Sequence, residues 1–395
     1  MLEDVKVLSF THYLQGPSAA QTLADLGAEV VKVEPTNGAH ERRWSGCNAF
    51  PGGISMFFLL GNRNQNSLAI DLKSEAGKAV IKQLIQTYDV IIENFRPGVM
   101  DSLGLGYEEL SAINPRLIYC SCTGYGSSGP MADKPGQDLL IQGMSGLASL
   151  TGNRQDLPSA VGTAVVDQHG AILAALGVVS ALYDRARTGK GHRVEASLLG
   201  SALDLQLESL AYYLNGNREL PERSTSGLST KMHQSPYGIY KTADGHITLF
   251  LVPVEKLQTF CTEGVFEGFT RADQMDRRLE FDAIVAQEIA KKTTKEWMKI
   301  FEKHDIWCGP VNGYEQMLRD EQVVHNDNIL TMEHPKAGNI KVVGHANKYD
   351  GAYIKIRKNP PELGDYSCTL LRQVGYSETQ IEKYLAAGII AGERT

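Results

Sequence analysis

An α/β fold with a doubly wound parallel sheet in its large domain, followed by a smaller α+β domain, is what this sequence predicts. Three observations carry the prediction. Short apolar runs alternate with helical patterns through the first third of the chain, which is how the strands and crossover helices of a parallel sheet read. A polar stretch, 216–234, then interrupts the pattern. Beyond it, an Asp-Gly turn between two apolar runs signals an antiparallel hairpin.

The elements follow in order. Residues 5–10 read as a buried strand. Pro17 opens a helix to residue 26, at a favoured first-turn position, and Gly27 stops it. Residues 29–33, 67–72, 89–92 and 116–122 read as further strands. Between them, 74–88 places Ala76, Ala79, Val80, Leu84 and Ile85 at helical spacing. The small and aliphatic run 171–183 reads as a buried helix, and a helical pattern continues from 194 to about 215. The hairpin joins 237–240 to 247–250 through Ala243-Asp244-Gly245, and Ser377-Glu378-Thr379-Gln380 is a capping box that opens a last helix. The expected domains are 1–215 (large, α/β), 225–325 (small, α+β) and 330–395, a segment returning to the large domain.

Composition narrows the classes. With 42% hydrophobic and 22% charged residues in 395, the chain is ordinary and globular. A net charge of -7 gives no electrostatic case for nucleic acid. An anionic small molecule can still be held by local cations and helix N-termini. Six cysteines without disulfide or C-x-x-C spacing point to a reducing, cytoplasmic setting, and Cys120 and Cys122 share one strand face as small core residues. The first residues lack a signal-peptide pattern, and the longest apolar run is shorter than a membrane span of roughly 18 residues. No histidine pattern has metal spacing, so no metal and no permanently bound cofactor are expected.

Ligands of doubly wound sheets bind beyond the carboxyl ends of the strands. Here those ends are 11–16, 34–41, 93–98 and 123–129, and the four loops should gather on one rim. Neither G-x-G-x-x-G nor G-x-x-x-x-G-K-[ST] occurs, which excludes dinucleotide and P-loop readings on motif. No G-x-S-x-G suggests a hydrolase either. The loop Thr123-Gly124-Tyr125-Gly126-Ser127-Ser128-Gly129-Pro130 is either a connector or a backbone cradle for an anion. Asp167, at the entry to the small-residue helix, is either its N-cap or a reactive carboxylate kept partly out of water.

Several blocks together resemble the class III CoA-transferases, a superfamily that includes formyl-CoA transferase, carnitine CoA-transferase and α-methylacyl-CoA racemase. They are Thr11-His12-Tyr13-Leu14-Gln15-Gly16-Pro17, the segment 23–34, Glu93-Asn94-Phe95-Arg96-Pro97-Gly98, Thr123-Gly124-Tyr125-Gly126, and 138–146. The resemblance implies that Asp167 is the catalytic nucleophile and that coenzyme A enters as a co-substrate. It implies CoA contacts at His12, Lys73, Asn94, Phe95 and Tyr125, with Arg96 assigned to a phosphate on charge. It implies transfer between an acyl-CoA and a small carboxylic acid, and an interlocked homodimer. Racemases of the superfamily pair the aspartate with a histidine in a segment similar to Pro135-Gly136-Gln137-Asp138. Here Gln137 stands at that position, and an amide cannot shuttle a proton, so transferase is the expectation. Racemase chemistry and non-catalytic CoA binding remain alternatives. Two departures stand out: Leu14 occupies a glutamine position of formyl-CoA transferase, and Leu251-Val252-Pro253-Val254-Glu255 replaces its glycine run. The acyl pocket is expected to draw on 232–254, where His233, Tyr237 and Tyr240 either face it or pack the hairpin.

Overall fold

The computed structural model describes residues 1–216, 223 and 232–392. Most of the polar stretch expected as a linker therefore lies outside the described residues. Two compact units divide the chain. One holds residues 1–141, 164–205 and 327–395, the other 142–163 and 206–326.

The first unit is built on a seven-stranded sheet. Six strands are β1 (Lys6–Phe10), β2 (Glu29–Glu34), β3 (Gln65–Ile70), β4 (Val90–Glu93), β5 (Ile118–Thr123) and β6 (His192–Ser197). They are parallel in the order β3-β2-β1-β4-β5-β6, and the short strand Ile390–Ala391 adds antiparallel to β3. Alternation decides which helices cover which face. Leu8, Phe10, Val31 and Val33 point into one core with Val80, Ile81, Leu84 and Ile85 of the helix α1 (Glu75–Ile85). Val7, Val30, Val90 and Ile92 point into the other. That second core is covered by Ala19, Ala20 and Leu23 of the Gln15–Asp25 helix, and by Ala171, Ala174, Ala175 and Val178 of α2 (Val165–Thr188). Alanines let α2 lie close to the sheet. Cys120 and Cys122 are buried on this face, as expected.

The order of the parallel strands reverses between β1 and β4. In an open sheet this is the topological switch point, where a crevice opens at the strand carboxyl ends. The fold thus has the strand order of a dinucleotide-binding sheet without the glycine fingerprint.

Several details differ from expectation. The third strand begins two residues early, at Gln65. The continuous helix expected from 194 is instead β6, then α3 (Leu198–Asp204) and α4 (Leu207–Asn215). β6 is an edge strand with charged outward residues, so it lacks the apolar run that marks its neighbours. Finally, α2 is the one described helix long and apolar enough to cross a membrane, with mean hydropathy 1.6. Its alanine face is instead buried on the sheet.

In the second unit, β7 (Tyr237–Lys241) and β8 (His246–Phe250) form the expected hairpin, with Tyr240 opposite Ile247, and β9 (Cys308–Pro310) joins β8 antiparallel. Tyr240, Ile247 and Leu249 pack with Phe281, Trp297 and Phe301. Tyr240 thus packs the hairpin core. Leu251, which follows β8, holds φ at 44°, a left-handed conformation that a glycine takes at less cost. At the chain end, the Ser377 capping box opens the Glu378–Ala386 helix as expected.

Candidate active site

A cavity of about 390 Å³ lies at the switch point. Tyr13, Leu14 and Gln15 line it from the loop after β1 and the following helix, and Asn94, Phe95, Arg96 and Pro97 from the loop after β4. Thr123 and Gly124 close it after β5, Lys134 to Gln137 from the next segment, and Asp167 from the first turn of α2. Three of the four expected loops therefore meet here. The loop after β2 does not line the cavity, but its Glu41 reaches towards His12.

Asp167 is half-buried, and its carboxyl is pushed up to about 7, first by burial and then by the charge of Asp138. The cap expectation needs correction. Asp167 is the third residue of α2; the N-cap is Ala164, which has no side-chain oxygen for the task. Oδ2 of Asp138 takes it over, accepting from the backbone N–H of Val166 at 2.8 Å and of Asp167 at 3.1 Å.

The other expected site residues fall into two groups. Asn94, Phe95 and Arg96 line the cavity with Asp167. Asn94 is also a clamp: its Oδ1 accepts from the His12 N–H and its Nδ2 donates to the His12 carbonyl, each at 2.7 Å. His12, Tyr125 and Lys73 are not among the lining residues. The His12 ring packs tilted against Phe95, with centroids 5.0 Å apart, and its Nδ1 lies 3.8 Å from Oε2 of Glu41. Glu41 is fully buried, and despite burial its carboxyl is held down near 2, first by His12 and then by Lys32 at 3.0 Å. The Tyr125 hydroxyl donates to the Pro135 carbonyl at 3.4 Å. Lys73 is exposed just before α1, its N–H on Asp71.

Two N–H groups of the loop after β5 are already engaged within the protein. The Gly126 N–H is bonded to Oγ1 of Thr123 and the Ser127 N–H to Oε1 of Glu195. The N–H after Asp167, that of Gln168, is spent on Ala164 inside the helix. Two glycines make the loop possible for another reason. A Cβ on Gly124 would sit 2.6 Å from Cα of Gly136, and one on Gly136 2.4 Å from Cα of Gly124. Two backbones cross in contact there.

Sequence reasoning missed Gln15 and Asp138. Gln15, buried, stands beside the position where Leu14 breaks the expected pattern, and its Nε2 donates to the Ala196 carbonyl at 3.2 Å. Gly170 makes room for it, since a Cβ there would meet that Nε2 at 2.7 Å. The neighbouring glutamine was the available signal. Among the described residues no group of three His, Cys, Asp or Glu could hold a metal ion.

A switch-point crevice holding a half-buried carboxylate, flanking amides and two cations suits acyl transfer from an anionic carrier. The comparisons with known proteins agree. The profile of CoA-transferase family III matches residues 2–366. Succinyl-CoA:glutarate CoA-transferase of Mus musculus is 35% identical, the match covering all of this chain and 91% of that protein. Acetyl-CoA:oxalate CoA-transferase of Acetobacter aceti is 30% identical over 95% and 96%. A CAIB/BAIF family protein from Brucella suis superposes with a TM-score of 0.80 at 28% identity, covering 94% of this chain and 98% of that one. The chain belongs to CoA-transferase family III and is an enzyme of that class, using CoA thioesters as substrates.

Proposed function

We propose that the enzyme moves CoA from an acyl-CoA to a small free carboxylic acid through covalent adducts on Asp167. The carrying observation is a carboxylate in the switch-point cavity whose pKa is raised to about 7. A more basic carboxylate is a better nucleophile. An Asp167 oxygen attacks the donor carbonyl, the C–S bond breaks, and CoA leaves as thiolate from an aspartyl–acyl anhydride. The thiolate attacks the aspartyl carbonyl and expels the donor acid, which leaves aspartyl-CoA thioester. The acceptor carboxylate then attacks that carbonyl, releasing thiolate again. Thiolate attack on the acceptor's acyl carbonyl regenerates the Asp167 carboxylate and releases the new acyl-CoA.

The oxyanions formed along this route need donors. The side chains of Gln15, Gln137 and Lys134, which line the cavity, serve that role in our reading. Arg96 takes a CoA phosphate and Phe95 the nucleotide base. Asn94 and His12 hold the loop, and Tyr125 braces its neighbour. Lys73, exposed just before α1, meets the distal end of CoA. The relatives named for glutarate and oxalate favour a small di-acid among the substrates. A racemase would require a second proton carrier, whereas Gln137 lines the cavity with its amide. Ile172, Leu176 and Tyr183, exposed along one face of α2, support the homodimer.

Intact-protein mass spectrometry after mixing with acyl-CoA and then hydroxylamine tests the reading. A hydroxamate confined to Asp167 and absent from Asp167→Ala is the expected result. No adduct, with deuterium entering the donor α-carbon from heavy water, would sink it.

A further inference from the structure

Asp138 has no part in the chemistry above, yet it is the charged neighbour that acts on the nucleophile. It is 5% exposed. Its carboxylate supplies, from another segment, the bonds that an N-cap aspartate would give to the second and third N–H groups of α2. One of those N–H groups belongs to Asp167 itself.

We propose that Asp138 is a positioning residue for the nucleophile: it fixes the first turn that carries Asp167, and its charge favours the neutral acyl and thioester adducts of Asp167 over the free carboxylate. The inference rests on the reading of Asp167 as nucleophile. A carboxylate in a helix's first turn is ordinarily stabilised by the positive end of the helix. Here Asp138 has already engaged the N–H groups that provide much of that stabilisation. The resting enzyme therefore holds two negative groups at one helix end. When Asp167 is acylated its charge departs with the thiolate or the donor acid, and the repulsion ends. The same repulsion is the second cause, after burial, of the raised Asp167 pKa.

The other ionisable groups that line the cavity with Asp167 are Tyr13, Arg96, Cys122 and Lys134, from four separate segments, and the Cys122 thiol is held neutral by its hydrogen bond to Cys120 and by burial. The His169–Asp204 pair, 2.7 Å apart, joins α2 to α3 one step further on. Of the charged groups, Asp138 is the one whose field raises the Asp167 pKa, so its removal should act in one direction only, towards a lower value.

The test compares Asp138→Asn, which keeps an oxygen acceptor for the two N–H groups but loses the charge, with Asp138→Ala, which loses both. The readout is the fraction of Asp167 trapped as hydroxamate at equilibrium with acyl-CoA, measured against pH. Asp138→Asn should lower the adduct-to-free ratio about tenfold and move the midpoint of trapping down by about one pH unit, the two being equivalent at tenfold per unit. Asp138→Ala should lose turnover beyond that, and the asparagine should recover part of it. A wild-type ratio and midpoint in Asp138→Asn would overturn the inference alone. So would equal turnover loss in both variants with an unmoved midpoint, the mark of a merely structural role. A wild-type midpoint near the ordinary carboxylate value would overturn it without any variant. No adduct in the wild-type enzyme would remove the nucleophile reading, and this inference with it.

Discussion

Asp167 is less comfortable as an anion than its position suggests. A first-turn carboxylate usually gains from unsatisfied N–H groups, but burial and Asp138 push its pKa up to about 7. The direction has a consequence for stability. Between the ordinary carboxylate pKa near 4 and the folded value, the native state binds more protons at this site than the unfolded chain does, so stability falls as pH rises through that window. One pKa unit corresponds to about 1.4 kcal/mol, and the side chain is only half-buried, so the effect is discounted accordingly. Asp167→Asn should therefore melt higher than wild type at pH 8, by roughly 1–3 kcal/mol, with the gain shrinking towards pH 4. Thermal melts of both proteins at pH 8 and pH 5 measure it. A difference of the same size at both values would mean that the carboxylate is not strained. Turnover of the wild type should rise with pH through about 7, because only the carboxylate attacks.

At the scale of elements, the contact between Gly124 and Gly136 is what brings Gln137 and Asp138 to the end of β5. The backbones touch, so neither position has room for a side chain. Gly124→Ala should force the two segments apart and displace Gln137; a misplacement of about 1 Å can cost up to about a hundredfold in rate. Gly143→Ala, where a Cβ meets nothing within 4 Å, should leave kcat/KM unchanged. Steady-state kinetics on the two folded variants decide it, and equal activity would remove the crossing from the list of essential features. The same contrast explains how much could be read beforehand. β1, β2, β4 and β5 are short runs rich in β-branched and other apolar residues, buried on both faces, and α1 carries a regular helical stripe; local pattern is enough for these. The hairpin turn and the last capping box are local signals too. Asp138 capping α2 and Gln15 entering the cavity depend on partners 28 and 181 residues away, and no local pattern encodes such a meeting. β6 escaped because an edge strand bearing charges resembles a helix's polar face in a short window.

For the whole molecule, α2 presents two opposite apolar faces. The alanine side is buried on the sheet, while Ile172, Leu176 and Tyr183 on the other are 55%, 58% and 69% exposed. Their spacing of four and seven residues puts them on one stripe, and Leu139, Leu140 and Leu203 are exposed in the same unit. Exposed apolar area of this extent on a soluble monomer marks a covered surface. The helix that bears this stripe also carries Asp167 in its first turn, so covering it would fix the helix and help keep water from anhydride and thioester adducts that would otherwise hydrolyse. A second copy of the chain is the occupant we expect. The wild-type enzyme should sediment as a dimer at micromolar concentration, and Leu176→Glu, a charge in the middle of the stripe, should shift it to monomer. Its turnover should fall with dissociation and recover as protein concentration is raised. A wild type that sediments as a monomer with full activity would show that the stripe serves neither assembly nor catalysis.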